Sequence, residues 1–221
     1  VLKRRVKYSM IDLHYSPGNA NLAPHFILED VKADFRLVRV DRSVNAHKSA
    51  EYLQLNPFGR IPVLVDGDLV LFEAAAICLH LVDTYPDCGL APAIGTAERA
   101  HFYKWLMFLT NTIQPDILMY YYCDRYTTDP EGAAAVKQAA ENRLIEFYTI
   151  IDEHLAASGP YLLGETFSAA DYYLLMVARF GRTLKTPPRD MQHLGKTLEL
   201  MTARAAVQRA FASEGIKAPY L

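Results

Sequence analysis

The residues that invite chemistry lie between positions 56 and 77, which read NPFGRIPVLVDGDLVLFEAAAI. Ile61-Pro62 stands at the mouth of an apolar run. A proline there is confined to a strand start or edge, because it has no N–H to give a ladder. Ile61 is thereby left with backbone groups for an extended ligand, in the manner of strand addition. A few residues on, Glu73-Ala74-Ala75-Ala76-Ile77 opens a helix. Its first N–H groups have no partner within the helix, and its partial positive charge favours a carboxylate. Together these features make a place to hold a peptide-like anion. By physics alone the stretch is equally the strand–turn–strand–helix of any α/β protein.

The elements that must position these residues follow from periodicity and turn chemistry. Val63-Leu64-Val65 and Leu69-Val70-Leu71-Phe72 flank Asp66-Gly67-Asp68, a β-hairpin whose glycine supplies the positive φ of a tight reversal. Upstream, residues 11–15 read as a strand and Ser16-Pro17-Gly18-Asn19 as a turn. A helix then runs through Phe26, Ile27 and Leu28. With Asn21 as its N-cap, Pro24 falls at the third helical position, where the missing N–H removes no helix bond. Residues 34–40 form a second strand and 46–55 a short helix, giving βαβ, helix, ββ and α.

Proline and glycine punctuate a linker over 86–95. Beyond it the pattern is helical throughout. Thr96 caps one long amphipathic helix over 97–123, with Phe102, Leu106, Leu109, Ile113 and Ile117 on its apolar face and a kink at Pro115. A second long helix covers 133–156. Ser168-Ala169-Ala170-Asp171 is a capping box, with Phe167 and Tyr172 as its hydrophobic staple. Two shorter helices cover 192–201 and 203–213, with Gly215 as a stop.

The order NPFGRIP, hairpin, FEAAAI resembles the N-P-x-G-K-V-P … E-S-x-A-I run of the glutathione S-transferase family. The core of residues 10–29, IDLHYSPGNANLAPHFILE, resembles the first strand and helix of the bacterial, beta-like branch. The resemblance covers about residues 10–215. It implies an α/β thioredoxin-like domain plus an all-α C-terminal domain, divided as an N-terminal extension (1–9), a glutathione-binding domain (10–85), a linker (86–95) and a helical domain (96–221). It also implies a cis bond at Pro62, glutathione as co-substrate, no metal and a homodimer. The implied activity is conjugation of glutathione to small hydrophobic electrophiles. Its rivals are a noncatalytic binding or regulatory protein, and a glutathione-dependent peroxidase or disulfide reductase.

The same resemblance assigns the site. Beta-like members carry S-P-G-A-C-S after the first strand, whereas this chain has Ser16-Pro17-Gly18-Asn19-Ala20-Asn21. Ala20 stands in the cysteine position, so the donors left to lower the glutathione thiol pKa are Asn19, Asn21, Ser16, Tyr15 and the backbone around Ala20. An asparagine amide stabilises a thiolate but accepts no proton from it. Ile61, Pro62, Arg60, Glu73, Ala74 and Gln114 are the implied glutathione contacts. Ala74 replaces the family serine and Gln114-Pro115 replaces its His-Lys. Asp116, Tyr120 and Tyr121 are placed facing the electrophile, where tyrosines suit aromatic substrates.

Composition limits the alternatives. Twenty-three basic and 25 acidic residues give a net charge of −2, which suggests neither a nucleic-acid nor a membrane surface. The basic start, VLKRRVKYS, is followed by no apolar segment of signal-peptide length. Cys78, Cys88 and Cys123 are odd in number and widely spaced, so no metal site or disulfide framework follows, and free thiols fit a cytoplasmic location.

Overall fold

The computed structural model describes residues 10–221, and the expected N-terminal extension lies outside the described residues. Strand β1 (Ile11–Tyr15) leads into helix α1 (Leu22–Val31) and strand β2 (Phe35–Arg39). Two single 3-10 turns and helix α2 (Ala50–Leu55) follow, then β3 (Val63–Asp66), β4 (Leu69–Phe72) and α3 (Ala74–Thr84). The sheet order is β2-β1-β3-β4, with β1 parallel to β2 and the other pairs antiparallel. A parallel pair needs a crossover, which α1 supplies, while β3 and β4 need only the short turn where Gly67 has φ 59°.

The single helix expected over 46–55 is shorter in the structure. Residues 46–48 form only a 3-10 turn, and Ser49, in an extended conformation, ends it and caps α2 by accepting the Tyr52 N–H at 3.2 Å. The expected long helix over 97–123 is also divided. It runs as α4 (Ala97–Phe108), a π turn (Leu109–Ile113) and α5 (Gln114–Tyr121). Pro115 deletes one i→i−4 bond, and the widened turn just before it absorbs the mismatch. Thr96 caps α4 as expected, accepting the Arg99 N–H at 3.2 Å.

Helices α6 (Ala133–Ser158), α7 (Ala169–Phe180), α8 (Gln192–Thr202) and α9 (Ala205–Ser213) complete the chain. The thioredoxin-like sheet domain and the helical domain share one apolar core. Phe26 of α1 meets Tyr172 of α7 at 5.6 Å and Phe211 of α9 at 5.4 Å between ring centroids. Polar ties reinforce this seam: Asp30 accepts from Tyr172 Oη at 2.7 Å and from Arg204 at 3.0 Å, and Arg209 pairs with Glu29 at 2.6 Å. Among the described residues no helix is long and apolar enough to cross a membrane.

The capping box forms. Asp171 accepts from Ser168 N at 2.8 Å and from Leu162 N at 2.9 Å, and the Phe167 and Tyr172 rings meet edge-on at 4.7 Å. Burial nonetheless pushes the Asp171 carboxyl up to about 6, outweighing these bonds, which favour the anion. The unfolded carboxyl titrates near its ordinary value, about 3.9. Between about pH 4 and pH 6 the unfolded chain therefore sheds this proton while the folded chain keeps it, so the Asp171 contribution to stability falls as pH rises through that window. Denaturant titrations across the window should show this decline in the native protein and a flatter profile in Asp171→Asn. An unchanged slope in the variant would place the titrating group elsewhere.

Candidate functional site

The segment NPFGRIP folds into a loop held from beneath. Asn56 is buried; its amide donates to Arg60 O at 2.9 Å and its carbonyl accepts the Phe58 N–H at 3.1 Å. Tyr52 Oη donates to the same Arg60 carbonyl at 2.8 Å. Gly59 has φ 56°, and a Cβ there would come within 2.6 Å of His47 O, so this turn requires glycine. The loop delivers a cis Ile61–Pro62 bond, as expected. Ile61 precedes the ladder, which begins where Val63 pairs with His14 and Phe72.

One cleft gathers Ala20, Asn56, Phe58, Arg60, Ile61, Pro62, Glu73, Ala74 and Gln114. All six residues assigned to a tripeptide therefore share it. Glu73 has φ 72°, a conformation that non-glycine residues rarely adopt and that gathers at functional sites. It immediately precedes Ala74, the first residue of α3. Gln114 is anchored from α7, where Tyr173 Oη donates to its side-chain oxygen.

The turn after β1 is built differently from the sequence expectation. Asn21 occupies the cap position, but its side chain makes no cap bond. It is fully buried, accepts the Ser16 N–H at 3.2 Å and donates to Glu214 at 2.7 Å. Asn19 donates to the carbonyls of Ser16 and Pro17, both at 3.2 Å, while its oxygen accepts from Arg42 at 2.9 Å. Both amides are thus committed within the protein. Among the described residues the Tyr15 and Ser16 hydroxyls and the Ala20 N–H have no such partner.

Glu214, at the end of α9, is the site residue that sequence reasoning missed. Its side chain is fully buried. One oxygen accepts from Asn21 and from His25 Nδ1, each at 2.7 Å, and the other from Gly18 N at 2.8 Å. Nothing in the local sequence flags it, because its partners lie almost two hundred residues away.

The residues expected to face the electrophile divide. Asp116 is buried and held in a two-pronged pair by Arg143 of α6, with both contacts at 2.8 Å. Tyr120, one helical turn on, is also buried and donates to Thr183 O at 3.0 Å. This face of α5 is packed into the helical domain. Tyr121 sits a third of a turn round, remains 41 % exposed and donates to Phe180 O at 2.7 Å.

Known proteins share this fold. Residues 11–83 match the family described as Glutathione S-transferase, N-terminal domain, and residues 115–218 match Glutathione S-transferase, C-terminal domain. A glutathione S-transferase of Xanthomonas campestris is 30 % identical over 92 % of this chain and 98 % of its own. Among solved structures, a glutathione transferase homologue from Sulfitobacter with bound glutathione superimposes with a TM-score of 0.84, at 26 % identity over 94 % of this chain and 99 % of its own. A beta-class glutathione S-transferase of Sphingomonas chungbukensis gives 0.81, at 28 % identity over 93 % of this chain and 100 % of its own. The chain belongs to the glutathione S-transferase family and, with relatives of that name aligned over nearly its whole length, is a glutathione transferase.

Removing the Glu214 carboxylate leaves three donors, two of them buried, without an acceptor. Glu214→Ala should destabilise the protein by about 3 kcal/mol, in the range for breaking a buried polar network from one side. Urea denaturation measures this, and a loss below about 1 kcal/mol would show that the turn holds itself.

Proposed function

We propose that the protein activates glutathione with the backbone at the start of α1, and that the thiolate then displaces a leaving group from a small electrophile. The observation that carries this reading is the commitment of both asparagine amides, Asn19 and Asn21, to other partners beside an unpaired Ala20 N–H that borders the cleft. The helix start and this N–H favour the anion, so the thiol proton is lost to solvent. Sulfur bonds to the electrophilic carbon, and the leaving group departs with its electron pair. Cys78 and Cys88 are poor substitutes for this nucleophile. Cys78 is buried, and burial pushes both the Cys78 and the Cys88 thiols up.

In this reading glutathione lies extended along Ile61. Its γ-glutamyl carboxylate meets the Ala74 N–H at the start of α3, its amino group meets Glu73, and its glycyl carboxylate meets Arg60, with Gln114 closing the far side. Two copies associate, with Phe58 (63 % exposed) and the edge-strand residues Leu69 and Val70 as apolar surface for that contact. The protein works in the cytoplasm, where its free cysteines persist, and clears electrophiles there.

Ala74→Ser should restore a hydroxyl bond to the carboxylate. A charge-assisted bond of about 1.5–3 kcal/mol corresponds to at least tenfold tighter glutathione binding by calorimetry. An unchanged dissociation constant would mean the carboxylate binds elsewhere. The activation step has its own test in the ultraviolet absorbance of bound glutathione against pH. Asn19→Ala should leave the thiol titration in place, because its amide hydrogens point at backbone carbonyls. If Ser16→Ala or Tyr15→Phe raises that titration instead, the donor is a hydroxyl and the backbone assignment falls.

A further inference from the structure

Two arginines, Arg179 and Arg42, touch the same turn and two more, Arg182 and Arg125, lie beside their partners, and none of the four lines the glutathione cleft. The Arg179 guanidinium lies so close to Gly18 that a Cβ there would sit 3.0 Å from Nη1. Arg182 follows three residues later, donating to Arg179 O at 2.8 Å. From the opposite domain Arg42 reaches Asn19 Oδ1 at 2.9 Å and Tyr122 Oη at 3.3 Å, and Arg125 lies 4.3 Å over the Tyr122 ring.

Among the described residues none of the four forms an ion pair, although the chain as a whole is slightly acidic. The neighbouring carboxylates are engaged elsewhere. Glu214 accepts from Gly18, Asn21 and His25, and Asp41 accepts from Ser43 N and Oγ. Arg179 is the most exceptional of the group. Its Nε is buried without a partner, and burial together with Arg182 disfavours its charge, while Glu214 and Tyr121 only partly offset this. A guanidinium held in such a setting is completed by an anion, and a planar carboxylate or sulfonate fits its fork. Tyr121, an exposed ring whose hydroxyl donates to the carbonyl of Phe180, the residue after Arg179, offers a face to an aromatic body.

We propose that the second substrate is an aromatic electrophile bearing a carboxylate or sulfonate, which Arg179 recognises with help from Arg182. This rests on the reading of the cleft as the glutathione site. A different role for Arg179 is to balance the buried charge of Glu214, which would affect stability but not substrate choice.

The discriminating experiment compares chlorodinitrobenzene with chlorodinitrobenzoate, which differs by the ring carboxylate, using the whole protein and glutathione. Each kcat/KM is divided by the uncatalysed rate with glutathione. The native protein should favour the benzoate at least tenfold, and added salt should erode that preference. Arg179→Gln should cut the ratio about tenfold, and Arg182→Gln, on the exposed side, should cut it less. A ratio near one in the native protein, or one that neither substitution moves, overturns the proposal. The ratio remains informative if Arg179→Gln is merely less active, and Arg182→Gln carries the test if Arg179→Gln does not fold. If calorimetry finds no glutathione binding and neither halide turns over, the cleft reading has failed instead. Calorimetry with unreactive dinitrobenzoate then decides the arginine site: binding weakened in the variants supports it, and no binding overturns it.

Discussion

A buried carboxylate at the end of the last helix holds the turn that opens the first. Glu214 receives hydrogen bonds from Gly18, Asn21 and His25, so the backbone around Ala20 is positioned from the far end of the chain. A buried charge is tolerable only when its lone pairs are satisfied, and here three donors satisfy it. The consequence reaches the site. Whatever loosens α9 from α1 also loosens the helix start beside which a thiolate would rest. The interdomain seam of Phe26, Tyr172 and Phe211, with Asp30 and Glu29 paired to arginines of the other domain, keeps that geometry fixed.

The second half of the cleft is held more locally. Asn56 and Tyr52 both donate to the carbonyl of Arg60, and Gly59 permits the chain to pass close to His47. These contacts present Ile61 ahead of the strand ladder, while Glu73 is held in an uncommon backbone conformation where α3 begins. The two halves meet at Gln114, which the π turn and Pro115 bring to the cleft and Tyr173 anchors. A short irregularity in a long helix thus sets where the helical domain touches the binding surface.

Much of this was legible in the sequence because it depends on neighbours in the chain. The hairpin at Asp66-Gly67-Asp68, the Thr96 cap and the Ser168–Asp171 box each arise within a few residues, whereas the cis bond at Pro62 was expected from the family resemblance. Turn geometry, the missing proline N–H and short side-chain loops act over that distance. The candidate contacts around Ile61 and Glu73 were readable for the same reason, since one strand–turn–strand–helix unit carries both.

What tertiary structure alone decided is where a polar side chain finds its partner. Asn21 has the composition and position of a helix cap, yet the distant Glu214 and the nearby Ser16 N–H claim its amide. Asp116 reads as part of a substrate wall, yet Arg143 on α6 draws its face of α5 into the core. Arg179 reads as an ordinary basic residue near a helix end, and only the fold sets it against Gly18 with its Nε buried and unpartnered. Periodicity and turn chemistry determine the elements from the sequence. Buried polar atoms must be satisfied by whatever packs against them, and that is settled only when elements far apart in the chain come together.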